Sequence, residues 1–233
     1  MAPPKSSVLS LRGVALAGYQ RSDSAGMADF DLARHELAVV EMDEDRDAAA
    51  FLDLCLGLVA PPSGEVHCLG QGWHTQSYHD MLAHRRRIGT LVGSQVWPEH
   101  MPVTEVALAA QLYHTDHTEP EVIAQATVLA RRFGMPGLPT AASDAVPPGD
   151  LVRAACVRAF LGAPEFVLIA DAVLEATGEL GTALAQAIGA VQDHGGAVLW
   201  LLSSRMAPAA RFVTPDHVLR LDDRGLTRMR GPR

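Results

Sequence analysis

A chain of 233 residues with 48% apolar content carries enough material for one large core, and an α/β unit of this size is commonly one domain. The net charge of −8 sets up no field for nucleic acid or an anionic membrane, and the longest apolar run, 197–202, is far short of a membrane span. Cys55, Cys68 and Cys156 are odd in number, widely spaced and set among apolar neighbours, so they read as small core residues and not as a disulfide or zinc framework.

Residues 1–8 read as a polar, proline-bearing tail without the apolar run of a secretory leader. Residues 8–16 and 30–32 read as strands of a small antiparallel layer, separated by a Ser/Asp/Gly loop at 21–27. The stretch 37–70 then gives a strand at 37–42, an acidic turn, a helix at 48–58, a Pro-Gly turn and another strand. Strand, turn and helix in that order is the architecture of a phosphate-binding loop. Such a loop needs G-x-x-x-x-G-K-[ST]: glycines for close backbone approach, a Lys for the phosphates and a hydroxyl for Mg²⁺. Here Met42-Asp43-Glu44-Asp45-Arg46-Asp47-Ala48-Ala49-Ala50 fill that place, so the frame lacks its chemistry.

Further along, 72–87 is polar and helical in part, and Arg85-Arg86-Arg87 after His84 reads as a solvated helix end. A short strand follows at 88–92, then a helical segment over 104–134. Thr118-Glu119-Pro120-Glu121 is a helix start, with a cap, a first-turn Pro and early acids. Val122, Ala126, Leu129 and Phe133 recur at helical spacing, and Gly134 ends the helix. Residues 135–144 are too rich in Pro and small side chains for regular structure. The closing elements are a strand at 166–171, a helix at 177–194 and an apolar strand at 197–202, of the kind buried on both faces in a parallel sheet.

Two runs carry a resemblance. Leu56-Gly57-Leu58, Pro61-Pro62-Ser63-Gly64-Glu65-Val66 and Leu69-Gly70 form the first. Arg153-Ala154-Ala155-Cys156-Val157-Arg158-Ala159-Phe160, then Ala163-Pro164 and the strand ending at Asp171, form the second. On these the chain resembles the ATP-binding cassette (ABC) ATPases, as do Met101 to Val106 and the closing run 216–225. The resemblance implies a P-loop NTPase-like ABC nucleotide-binding domain of the α/β class. Its mainly parallel sheet is flanked by helices, with an N-terminal antiparallel β layer and a helical subdomain at about 93–150. One domain would cover 9–226, with flexible tails at 1–8 and 227–233.

The resemblance also assigns roles. Tyr19 stands where an aromatic stacks on adenine, and Asp171 where a carboxylate holds Mg²⁺. Glu36-Leu37 resembles the lead-in to the loop strand, with His35 where Gly is usual. Elsewhere the chain departs from the family: Asp43, Asp45, Asp47, Ala48 and Ala49 replace the phosphate loop. Gly93 replaces the water-positioning Gln, Ala172 the catalytic Glu and Ser204 the γ-phosphate-sensing His. Val146-Pro147-Pro148-Gly149-Asp150 replaces the Leu-Ser-Gly-Gly-Gln signature.

Four acids (Asp43, Glu44, Asp45, Asp47) around one Arg46 favour a helix N-terminus and repel a nucleotide, and Asp45 or Asp47 would cap the helix from Ala48. Asp43, Asp45 and Asp47 also alternate as in a calcium loop, but Ala48 and Leu54 stand where its Gly and Glu belong. His114, Asp116 and His117 read as surface and not as a metal site. The expectation is a pseudo-ATPase subunit of a membrane transport complex, without a catalytic residue, metal or cofactor. It would be cytoplasmic, peripheral to the inner face of the membrane, without insertion into it or nucleic-acid binding. Its partners would be an integral-membrane permease, docked through 93–134 with Val96, Trp97, Met101 and Leu112 as an apolar patch, and an ABC-type ATPase subunit as homo- or heterodimer. Two alternatives stand beside it: an active ATPase holding ATP and Mg²⁺ through Tyr19 and Asp171, and a soluble scaffold on the same fold.

Overall fold

The structure, a computed structural model, describes residues 7–16, 26–42, 48–92, 97–170, 178–203, 212–222 and 224–229. The strands are β1 (Ser7–Ala15), β2 (Met27–Ala33), β3 (Leu37–Met42), β4 (Glu65–Cys68), β5 (Gln71–Gly72), β6 (Ile88–Val92), β7 (Phe166–Ala170), β8 (Ala197–Ser203), β9 (His217–Asp222) and β10 (Gly225–Arg228). The helices are α1 (Ala48–Cys55), α2 (Tyr78–Arg85), α3 (Val103–His114), α4 (Glu119–Arg132), α5 (Pro148–Phe160) and α6 (Gly178–Asp193). Ser7 and Val8 therefore belong to β1, and Thr227 and Arg228 to β10, in place of the tails expected there.

These strands form one sheet in the order β5-β4-β1-β2-β10-β9-β3-β8-β7-β6. The block from β9 to β6 is parallel, and β1, β2, β4 and β5 form the antiparallel layer. Strand β10 joins the two blocks, parallel to β2 and antiparallel to β9.

Alternation along the parallel strands feeds two cores. Leu37, Val39, Val167, Ile169, Val198 and Trp200 face α3, α4, α5 and α6. Ala38, Val40, Leu168, Ala170, Leu199 and Leu201 face α1 and the antiparallel layer. Strands buried on both sides need apolar residues at every position, which is why 166–170 and 197–202 read as unbroken apolar runs. The three cysteines are buried and free, and burial pushes each thiol up, Cys156 to about 12.

Local chemistry sets the helix ends. Helix α1 stops at Cys55 and not at 58, because Gly57 takes φ +63 and the chain closes a double turn there. Leu58 N–H donates to Asp53 O at 2.8 Å, and Gly57 N–H to Leu54 O at 3.1 Å. The helical segment at 104–134 is two helices, broken where Thr115 is extended. Helix α4 starts as its sequence predicts, with the Glu121 carboxylate accepting from Thr118 N–H at 2.7 Å.

The three arginines are a correction, because they are ties between elements and not a solvated helix end. Arg85 donates to the carbonyl of Gly57 at 2.9 Å and Arg86 to that of His114 at 2.9 Å. Arg87 meets Glu165 at 2.7 Å, and the same carboxylate takes Arg34 at 2.9 Å. The hydrogen bond from Arg87, and then that from Arg34, hold the Glu165 carboxyl down to about 2.

This region makes a pH prediction. His84 is buried edge-on to Trp73, ring centroids 4.8 Å apart, and its Nε2 has no partner among the described residues. Burial, then the charge of Arg87, lower its pKa. The unfolded chain therefore takes up this proton more readily, and stability falls as pH drops below the ordinary value of 6.5. Glu165 acts with the same sign in a lower window, from its ordinary 4.5 down to about 2. The urea midpoint of unfolding should decline on acidification in two stages, and His84→Gln should remove only the upper one. A midpoint that stays level through the upper stage in the unsubstituted chain would contradict this account.

Candidate functional site

In an open parallel sheet, ligands sit outside the carboxyl ends of the strands, where successive connections leave to opposite faces. Strands β3, β8, β7 and β6 end side by side here. Met42 lies opposite Ser203 and Leu221, and Ala170 opposite Leu201 and Val92. The helix after β3, α1, packs on one face, whereas α5 and α6, which lead into β7 and β8, pack on the other. The crevice therefore opens beyond the ends of β3 and β8.

Of the residues the sequence nominated, Ala48 and Ala49 lie in the first turn of α1, half-buried and exposed respectively. Their methyl groups offer a phosphate neither charge nor hydroxyl. Tyr19, Asp43, Asp45, Asp47, Gly93, Asp171, Ala172 and Ser204 lie outside the described residues, as does the suggested cap on α1. His35 is described, and it carries φ 69, the left-handed conformation for which glycine is usual. Its Nδ1 lies 2.6 Å from Gln192 O, which secures the turn into β3.

The start of α5 is fully described. Pro147 precedes the helix and Pro148 is its first residue, both exposed. Neither has an N–H. The first donor after them is Gly149 N–H, on an exposed residue, whereas Asp150 N–H and Leu151 N–H turn inward and both donate to Pro147 O, at 2.9 and 3.1 Å. The Asp150 carboxylate pairs with Arg153 at 3.1 Å on the same helix. This helix start shows a ligand two pyrrolidine rings, one N–H and an acid.

In the last turn of the same helix, the Arg158 guanidinium lies over the Trp97 ring, 5.0 Å from its centroid, and burial lowers its pKa. The sequence reading assigned Arg158 no function, because a helical Arg gives no signal of a ring contributed from a distant loop. Of the four residues expected in an apolar patch, Met101 is exposed, while Trp97 and Leu112 pack partly buried against the core. Val96 lies outside the described residues. Among the described residues no three His, Cys, Asp or Glu side chains group as a metal site would need, and no helix is long and apolar enough to cross a membrane.

Two solved structures share this architecture. The ATP-binding subunit of an ABC transporter superposes with a TM-score of 0.75 at 18% identity, over 93% of this chain and 87% of that one. A dimeric ATP-binding cassette in a post-hydrolysis state, bound to ADP and Pi, gives 0.77 at 16% identity, over 96% and 99%. The fold is that of an ABC ATPase. In sequence, this chain is 29% identical over 119 residues to the phosphonates import ATP-binding protein PhnC of Alcaligenes faecalis. That match takes in 48% of the chain and 43% of PhnC, so it spans under half the length of the relative. No family model matches the chain.

Proposed function

We propose that this cassette is a non-hydrolysing ATP-binding-type subunit of a membrane transport complex, a structural partner of a permease and of a second cassette. The observation that carries the reading is the α5 start. Phosphoryl transfer depends almost wholly on positioning and charge stabilisation, supplied by N–H groups, cations and a water-orienting side chain. Here the first turn presents Pro147, Pro148 and the Asp150 carboxylate, and of its N–H groups those of Asp150 and Leu151 are already engaged, which leaves Gly149 alone to offer one. Ala48, Gly93, Ala172 and Ser204 remove further contributions in the sequence, independently of that helix.

The test is a steady-state phosphate-release assay on the purified chain, and on the chain mixed with a catalytic cassette. The chain alone should show no turnover above background, and the mixture only the catalytic cassette's own rate. Turnover by the chain alone that Asp171→Asn abolishes would overturn the reading in favour of an active subunit. Co-purification with a membrane subunit separates a transport partner from a soluble scaffold.

A further inference from the structure

Far from the carboxyl edge, where β7 begins, a groove of about 320 Å³ runs between α4, the turn from α5 into β7, and α6. Leu129, Phe160, Pro164 and Val191 make its walls, and Val128 and Ala190 stand at its mouth on facing helices. Arg132 and His194 also line it, and no Asp or Glu does.

The turn that forms one wall is held in place. Gln111 Nε2 donates to Leu161 O at 3.3 Å, and a Cβ at Gly162 would lie 2.3 Å from that side chain. Gly162 and Ala163 are successively left-handed, at φ +78 and +51, which for Ala163 is a conformation that residues with a side chain rarely adopt. His194 Nε2 lies 3.0 Å from Pro164 O, so a ring N–H ties the end of α6 to the same turn. Arg132, in the last turn of α4, is exposed and makes no hydrogen bond or ion pair to another described residue.

We propose that this groove binds an amphipathic carboxylate, its aliphatic or aromatic body lodged between α4 and α6 and its charge against Arg132. Its volume, 320 Å³, falls at the small end of ligand sites, which run from roughly 300 to 1,000 Å³. Apolar walls with a few polar groups at one side are the usual composition of such sites. The unpaired guanidinium and the absence of acids along the lining select an anion over a neutral amphipath. The groove and the nucleotide edge lie at opposite ends of the strands, so this inference does not depend on whether the cassette hydrolyses ATP.

Fluorescence titration of the full chain with dansylaminoundecanoate, followed by displacement with decanoate or with decanol, tests it. The dansyl probe should bind saturably, and decanoate should displace it about tenfold better than decanol, the worth of one charge-assisted contact. Arg132→Ala should erase that difference while leaving decanol within about twofold of its former potency. Ala190→Phe should fill the groove and abolish binding of both ligands. Val128→Glu, on an exposed face of α4, should abolish decanoate binding without disturbing the fold, as judged by an unchanged melting curve. Absence of saturable binding, equal displacement by decanol, or indifference to both groove substitutions would each overturn the assignment.

Discussion

Calorimetric titration of the purified chain with Mg-ATP should give no binding isotherm. A phosphate loop surrounds three to four negative charges with backbone N–H groups, a Lys and a hydroxyl. By the sequence resemblance the Lys and hydroxyl positions would fall on Ala48 and Ala49, and the preceding stretch holds Asp43, Glu44, Asp45 and Asp47 against Arg46 alone. A hydrogen bond to a charged group contributes about 1.5–3 kcal/mol, so losing the Lys, the hydroxyl and one backbone approach removes about 5–9 kcal/mol. Micromolar affinity corresponds to ~8 kcal/mol in all, so the loss takes most or all of it, and like-charge repulsion removes more. Neutralising the acids should weaken the start of α1 and should not create an ATPase. Micromolar binding by the unsubstituted chain would show that the loop admits phosphates, and the chain would then be a slow ATPase.

The second large effect belongs to Trp73, in the short helical turn Trp73–Thr75 between β5 and α2. The indole is 1% exposed, and its Nε1 donates to Cys55 O at 2.9 Å, which satisfies a carbonyl at the end of α1. His84 meets the ring edge-on, and the Arg85 guanidinium lies 5.6 Å from its centroid. Gly57 presses on the opposite side, where a Cβ would come 2.3 Å from Trp73 Cγ. Trp73→Ala should therefore cost about 3–5 kcal/mol, the usual loss for emptying a Trp site. For a chain of this length that is a fall in Tm of roughly 6–20 °C. Trp73→Phe keeps most of the packing and loses the hydrogen bond, so about 1–2 kcal/mol is expected. Chemical denaturation measures both, and a Trp73→Ala loss below about 1 kcal/mol would mean that the site collapses around the gap.

The parallel strands and the helix starts were legible in the sequence because their causes are local. Strands 166–170 and 197–203 are apolar at nearly every position, and α4 carries its own cap in Thr118 and Glu121. Arg85, Arg86 and Arg87 were misread because their partners are not local: Gly57 and His114 lie 28 residues away, and Glu165 lies 78 away. Local composition reports charge and says nothing of the carbonyls that meet it in three dimensions. For the same reason the role of Trp73 was missed, since one aromatic in a polar stretch does not announce the helix end beneath it. At the candidate site, the sequence alone speaks for the loops beyond β3, β6, β7 and β8. The α5 start was legible because proline removes an N–H whatever the fold around it.

The placement of β10 has a consequence for synthesis. Strand β9 pairs with β3 through Ala38 and His217, and β10 pairs with β2 through Met27 and Gly225. The antiparallel layer, made from residues 7–72, is thus stitched to the parallel block by strands that are synthesised well over a hundred residues later. Until residues 217–228 emerge, β2 and β3 each keep an open edge, with backbone groups free to template another chain. Nascent chains arrested before that point should therefore depend on a chaperone for solubility, and emergence of β9 and β10 should be the step that closes the sheet.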